Sequence, residues 1–199
     1  MDRYRSFAEL EQYEKVNEDY RIIVKKGTSP IAIMAPHGGG IEFGTASIAA
    51  SIAHPDHTLW AFKGIKQTGN RILHITSTRF DEPSALMIAA NAHTVVTIHG
   101  CSENRMVVYV GGRHRELGLR IHASLRQAGF NTRISGKSAL RGENPSNLCN
   151  QCSSGKGIQL EISAGLRKRM FIWSGENGIK GKSESFHRFI RAAKIALAR

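Results

Sequence analysis

Two His-Gly pairs and two glutamates are the residues of this chain best suited to chemistry. His37 and Glu42 flank three consecutive glycines in Pro36-His37-Gly38-Gly39-Gly40-Ile41-Glu42. Glycines carry no Cβ and take positive φ, so the chain can curl and return the carboxylate toward the imidazole. A divalent metal would hold such a pair. Zinc in hydrolytic sites takes three protein ligands from His, Glu or Asp and keeps a further position for water, so another ligand must come from elsewhere. His99 is the best candidate, because in Thr94-Val95-Val96-Thr97-Ile98-His99-Gly100 it too closes a β-branched run just before a glycine. Zinc would activate water and polarise a carbonyl, while a carboxylate within reach moves the proton. Glu161 sits among apolar neighbours in Gly157-Ile158-Gln159-Leu160-Glu161-Ile162-Ser163. An unpaired charge is costly there, so Glu161 is either an ion-pair partner or functional. It fits the general-base role if its strand lies beside the other two. Arg79, Arg105 or Arg141 could share an oxyanion's charge with the metal.

The elements that must position these groups follow from the apolar pattern. Ile31-Ala32-Ile33-Met34-Ala35 is short, apolar and bounded by turn residues, as is the run ending at Ile98. Both suit parallel strands buried on two faces, and their carboxyl ends are where open α/β sheets bind ligands. Residues 6–17 read as an amphipathic helix capped by Ser6, and 20–26 as a strand forming a hairpin with the next. Thr45 would cap a helix over 46–53. Strands are expected at 58–64, 72–75, 105–110 and 130–135, with helices from Pro83 to Asn91, across Leu117 to Ala128, and across Phe186 to Leu197. Residues 136–157 are rich in Gly, Ser, Asn and Lys and read as a long surface loop of the kind that binds substrate. The expectation is a single catalytic domain over residues 1–199, of α/β class, with a mixed, mostly parallel sheet flanked by helices.

Charge narrows the partners. Lys plus Arg number 28 against 16 Asp plus Glu, a formal +12, which attracts polyanions of any kind. A basic nucleic-acid-binding protein of a mobile element is the rival reading, but no helix-turn-helix, zinc finger or RNA-binding signature supports it, and no specific nucleic acid is expected. The polar start Met1-Asp2-Arg3-Tyr4-Arg5-Ser6 is unlike a signal peptide and no segment is long enough to span a membrane, so a cytoplasmic monomer is expected. Three cysteines, an odd count, argue for reduced thiols. Cys149 and Cys152 form a lone CxxC, and Cys101, two residues after His99, is a rival nucleophile.

Taken in order, Pro36-His37-Gly38-Gly39-Gly40-Ile41-Glu42, Leu73-His74-Ile75-Thr76-Ser77-Thr78, Phe80-Asp81-Glu82-Pro83, Ile98-His99-Gly100 and the segment around Glu161 resemble the poly-γ-glutamate hydrolase family of phages, prophages and bacilli, over roughly residues 5–195. The resemblance implies a fold similar to zinc carboxypeptidases and a zinc-dependent amidohydrolase cutting γ-glutamyl amide bonds of an anionic capsule polymer, reached by release on host lysis. By motif it implies one zinc per chain on His37, Glu42 and His99, with Glu161 as general base. The family often carries Asn-Arg before the catalytic strand, where the arginine grips a substrate carboxylate. Here the segment is Asn147-Leu148-Cys149-Asn150-Gln151, and an uncharged Gln151 stands in the arginine's place, so Asn147 and Gln151 join Arg79, Arg105 and Arg141 as the expected substrate contacts.

Overall fold

The computed structural model describes residues 2–136, 138–173 and 179–198. Its centre is a seven-stranded sheet in the order β1-β3-β2-β4-β7-β5-β6, formed by β1 (Tyr20–Lys25), β2 (Ile31–Gly39), β3 (Thr58–Gly64), β4 (Thr94–Cys101), β5 (Val108–Gly111), β6 (Thr132–Ile134) and β7 (Ile158–Ser163). The middle strands β3, β2, β4 and β7 run parallel, while β1 and β5 pair antiparallel with β3 and β7. The fold is thus the mostly parallel, mixed α/β sheet that the sequence pattern predicts.

Alternation along β2 explains the layering. Ile33 and Ala35 join the core beneath α2 (Thr45–Ala53), α4 (Arg115–Gln127), α5 (Ala164–Met170) and α6 (Glu184–Leu197). Ala32 and Met34 face the opposite core, with α1 (Phe7–Leu10) and α3 (Pro83–Asn91). Successive strand side chains point to opposite faces, so a strand covered on both sides must be apolar throughout. Helix α3 starts at Pro83, whose missing N–H costs nothing in a first turn, and Glu82 accepts the Ala85 N–H as N-cap.

Several expectations are corrected. β1 makes no hairpin with β2; it pairs with β3, and β2 lies on β3's far side. The helix expected over 6–17 is the short α1, still capped by Ser6. Ile72 to Ile75 is no strand, because Asn70–Leu73 forms a 3-10 turn. Thr45 does not cap α2: Gly44 holds that position at φ +87°, and the Thr45 hydroxyl donates to the Glu42 carbonyl at 2.8 Å. The strand expected from 105 starts at Val108, and the one expected over 130–135 shrinks to β6. A small antiparallel pair, β8 (Phe171–Trp173) and β9 (Ile179–Lys182), had no counterpart in the sequence reading.

Between β2 and β4 the chain's crossovers leave in opposite directions, β2 leading to β3 on one side and β4 lying on the other. This is a topological switch point, where neighbouring loops diverge and leave a crevice at the strands' carboxyl ends.

Candidate metal centre

His37 lies near the carboxyl end of β2 and His99 near that of β4, so the crevice receives both imidazoles. Each is almost fully buried, and their Nδ1 atoms stand 3.1 Å apart. After His37 the chain turns back through Gly38–Gly40, and the Glu42 N–H donates to the His37 carbonyl at 2.8 Å. Gly39 takes φ +66°, and a Cβ there would come within 2.2 Å of the Gly64 carbonyl oxygen, so this turn requires glycine. It delivers Glu42 Oε1 to 3.3 Å from His37 Nδ1, and Glu42 Oε2 to 3.9 Å from His99 Nδ1. The three ligand atoms all lie within 4.8 Å of one another.

The donor set fits a divalent cation. His37 Nε2 is 2.8 Å from the Ile75 carbonyl, which accepts only an N–H, so neutral His37 presents its Nδ1 lone pair to the centre. The Ser77 hydroxyl lies 3.4 Å from His99 Nε2. Two imidazole nitrogens at 3.1 Å cannot both carry protons, and a cation satisfies both lone pairs at once. Burial by itself raises the Glu42 carboxyl, but the charge and hydrogen bond of His37, with the Gly100 N–H at 2.7 Å, outweigh it and bring it down to about 2. Burial and the neighbouring His37 charge push His99 down to about 3. Glu42 and His99 thus favour the forms that bind metal, an ionised carboxylate and a neutral imidazole. Burial lowers His37, but the charge and hydrogen bond of Glu42 outweigh it and raise it, so a cation at the centre takes the place of a proton on His37.

Glu161 is set by strand register. In the parallel β4/β7 pair His99 lies opposite Glu161. Its side chain is buried and hydrogen-bonded to the Gln159 amide at 3.0 Å, and Gln159 in turn accepts from Asn147 at 2.9 Å. Burial, then the Glu42 charge, raise the Glu161 carboxyl well above its ordinary value.

These groups share one cleft of about 730 Å³, lined also by His74, Ser77, Asn147, Arg71 and Arg167. Of the residues proposed to touch substrate, only Asn147 lines it. Arg79 is held by Asp2 at 2.6 Å, Arg105 by Glu103 at 2.8 Å, and Arg141 lies 3.8 Å from Glu143. None of the three arginines lines the cleft, although Asp2 and Glu143, the partners of Arg79 and Arg141, do. Gln151 is exposed at the end of a 3-10 turn, also outside the lining.

Arg167 is a cation of the cleft that sequence reasoning does not single out. It is 7% exposed and donates to the carbonyls of Ile162 at 3.0 Å, Phe43 at 2.6 Å and Cys101 at 3.2 Å. A Cβ on Gly100 would meet its Cζ at 2.5 Å, so the glycine after His99 is what admits it. That steric need was the signal available in the sequence. Among the described residues no carboxylate lies within ion-pair distance of Arg167. Cys101 lines the same cleft, but burial pushes its thiol pKa up, away from the thiolate a nucleophile needs. Cys149 and Cys152 are buried free thiols, and burial pushes Cys149 up to about 12.

Fold and site together define an α/β protein with a metal-competent cleft at the switch point of its sheet. The chain belongs to the poly-gamma-glutamate hydrolase family, whose sequence profile matches residues 4–192. It is 36% identical over 190 residues to UPF0714 protein YndL of Bacillus subtilis (strain 168), covering 94% of this chain and 75% of that one. It is 37% identical to the SPbeta prophage-derived UPF0714 protein YoqZ of the same organism, covering 91% of this chain and 67% of that one. A solved bacteriophage poly-gamma-glutamate hydrolase superposes with a TM-score of 0.94 at 32% identity, over 100% of this chain and 97% of the other. The zinc-free structure of YndL superposes with a TM-score of 0.93 at 35% identity, over 100% and 98%. Among the described residues, no helix is long and apolar enough to cross a membrane.

Proposed function

We propose that the chain hydrolyses the γ-glutamyl amide bonds of poly-γ-glutamate, using one zinc ion held by His37, Glu42 and His99 with Glu161 as general base. The carrying observation is the convergence of three ligand atoms, two of them on buried imidazoles, beside a buried carboxyl group on the strand next to His99. A zinc ion held there supplies Lewis acidity toward water and toward the amide carbonyl. Glu161 takes a proton from the attacking water as its oxygen adds to the γ-carbonyl carbon. As the C–N bond breaks, Glu161 returns that proton to the departing amine. A carboxylate whose pKa is raised by burial is a stronger base than an ordinary one, and the Asn147–Gln159 relay holds it in place. Arg167, anchored on three carbonyls, meets the developing oxyanion with its remaining donors. The +12 formal charge suits a polymer carrying one carboxylate per residue.

Stripping purified protein with a chelator is expected to stop shortening of poly-γ-glutamate, and adding zinc to restore it, as read by polymer size. A metal-free preparation that cuts equally fast overturns the reading. Arg167→Ala is expected to lower kcat by about 10²-fold, with Arg105→Ala, whose exposed guanidinium pairs with Glu103 away from the cleft, near wild type. Steady-state kinetics on both variants checks the contrast.

A further inference from the structure

We infer that Asp2, thirty-five residues before the first proposed ligand in the chain, is a positioning residue of the metal centre, acting through the segment 74–79. The inference rests on the zinc reading above. The path runs through atoms already close together. His37 owes its tautomer to the Ile75 carbonyl, and the Ser77 hydroxyl lies by the outer nitrogen of His99. Both orienting groups therefore belong to one short stretch that lies outside any helix or strand. Its backbone bonds beyond Ile75, Arg79 N–H to the Thr76 carbonyl at 2.8 Å and Leu148 N–H to the Ser77 carbonyl at 3.0 Å, do not orient the Ile75 carbonyl.

Asp2 holds it instead. One oxygen of its carboxylate is 2.7 Å from His74 Nδ1. The other accepts from the Thr76 N–H at 2.8 Å, the Thr76 hydroxyl at 2.7 Å and Arg79 at 2.6 Å. The bonds fall immediately before and after Ile75, so they fix the direction in which its carbonyl points. The ring of His74, tied down by the same carboxylate, stacks on His37 with centroids 4.0 Å apart. The Asp2 side chain is 9% exposed and turns toward the cleft. Partners of this kind, which orient ligand imidazoles without touching the ion, are each worth about 10–100-fold in metal affinity.

The test is zinc affinity of the full chain, measured by competition with a chromophoric chelator, for wild type and Asp2→Asn. Thermal unfolding of the metal-free proteins is recorded alongside. Asp2→Asn is expected to bind zinc about 10–100-fold more weakly. Wild-type affinity in Asp2→Asn overturns the inference, even if its metal-free form melts earlier, because that is the result of a purely structural tie. Wild-type protein that binds no zinc overturns the metal reading instead. If Asp2→Asn does not fold, Thr76→Val removes one donor to the carboxylate and keeps the backbone N–H. It is then expected to weaken zinc binding in the same direction, and unchanged affinity there overturns the inference equally.

Discussion

Glu161→Gln is expected to lower hydrolysis of poly-γ-glutamate by about 10²–10⁴-fold, the usual worth of a positioned acid–base group. The substitution keeps the side chain's size and a hydrogen-bonding carbonyl, so β7 should fold as before. It also removes a carboxyl that is costly to bury, and the protein is expected to be no less stable. The discriminating measurement is zinc content beside kcat. A variant that holds wild-type zinc and has lost activity assigns Glu161 to proton transfer. If kcat is unchanged, the general base lies elsewhere. Loss of zinc along with activity would place Glu161 in the metal's coordination instead.

His37→Ala is expected to abolish both zinc binding and hydrolysis. The loss in zinc affinity should exceed the about 10–100-fold typical of an outer partner, because it removes a ligand and leaves Glu42 and His99 converging on nothing. His37 is 2% exposed and donates to the Ile75 carbonyl, so its removal also strands a buried acceptor. Some destabilisation of about 1–3 kcal/mol should follow. Metal content is therefore read on protein shown to be folded by circular dichroism. Retention of stoichiometric zinc in His37→Ala would exclude it as a ligand.

The residues that converge in the cleft could be picked out in the sequence because each of the two imidazoles, His37 and His99, closes an apolar run before a glycine. Strand ends at a switch point are brought together by the sheet itself, so a pattern local to each strand carried long-range information. The groups that orient them left no such trace. A backbone carbonyl such as that of Ile75 has no residue type, and the partners of Asp2 lie more than seventy positions along the chain. Arg167 was passed over because charge alone says nothing about which way a side chain faces, and α5 is too short to show a period. The misread strand at 72–75 has a plain cause as well: a brief run with Ile72, Leu73 and Ile75 fits either a strand or a tight turn. Pairing β1 with β2 followed adjacency in sequence, whereas the sheet places β3 between them.

His99 and Glu161 sit across from each other on hydrogen-bonded strands, so the gap between their backbones is a sheet repeat of about 4.7–4.9 Å. Much of the cleft's outer wall comes from elsewhere, through Ser138, Leu140, Gly142, Glu143 and Asn144. The proposed reactive groups and this wall thus belong to separate pieces of backbone. On the proposed reading, substitutions in that wall alter which acidic chain fits while the spacing of His99 and Glu161 stays fixed, because backbone pairing rather than loop shape sets it.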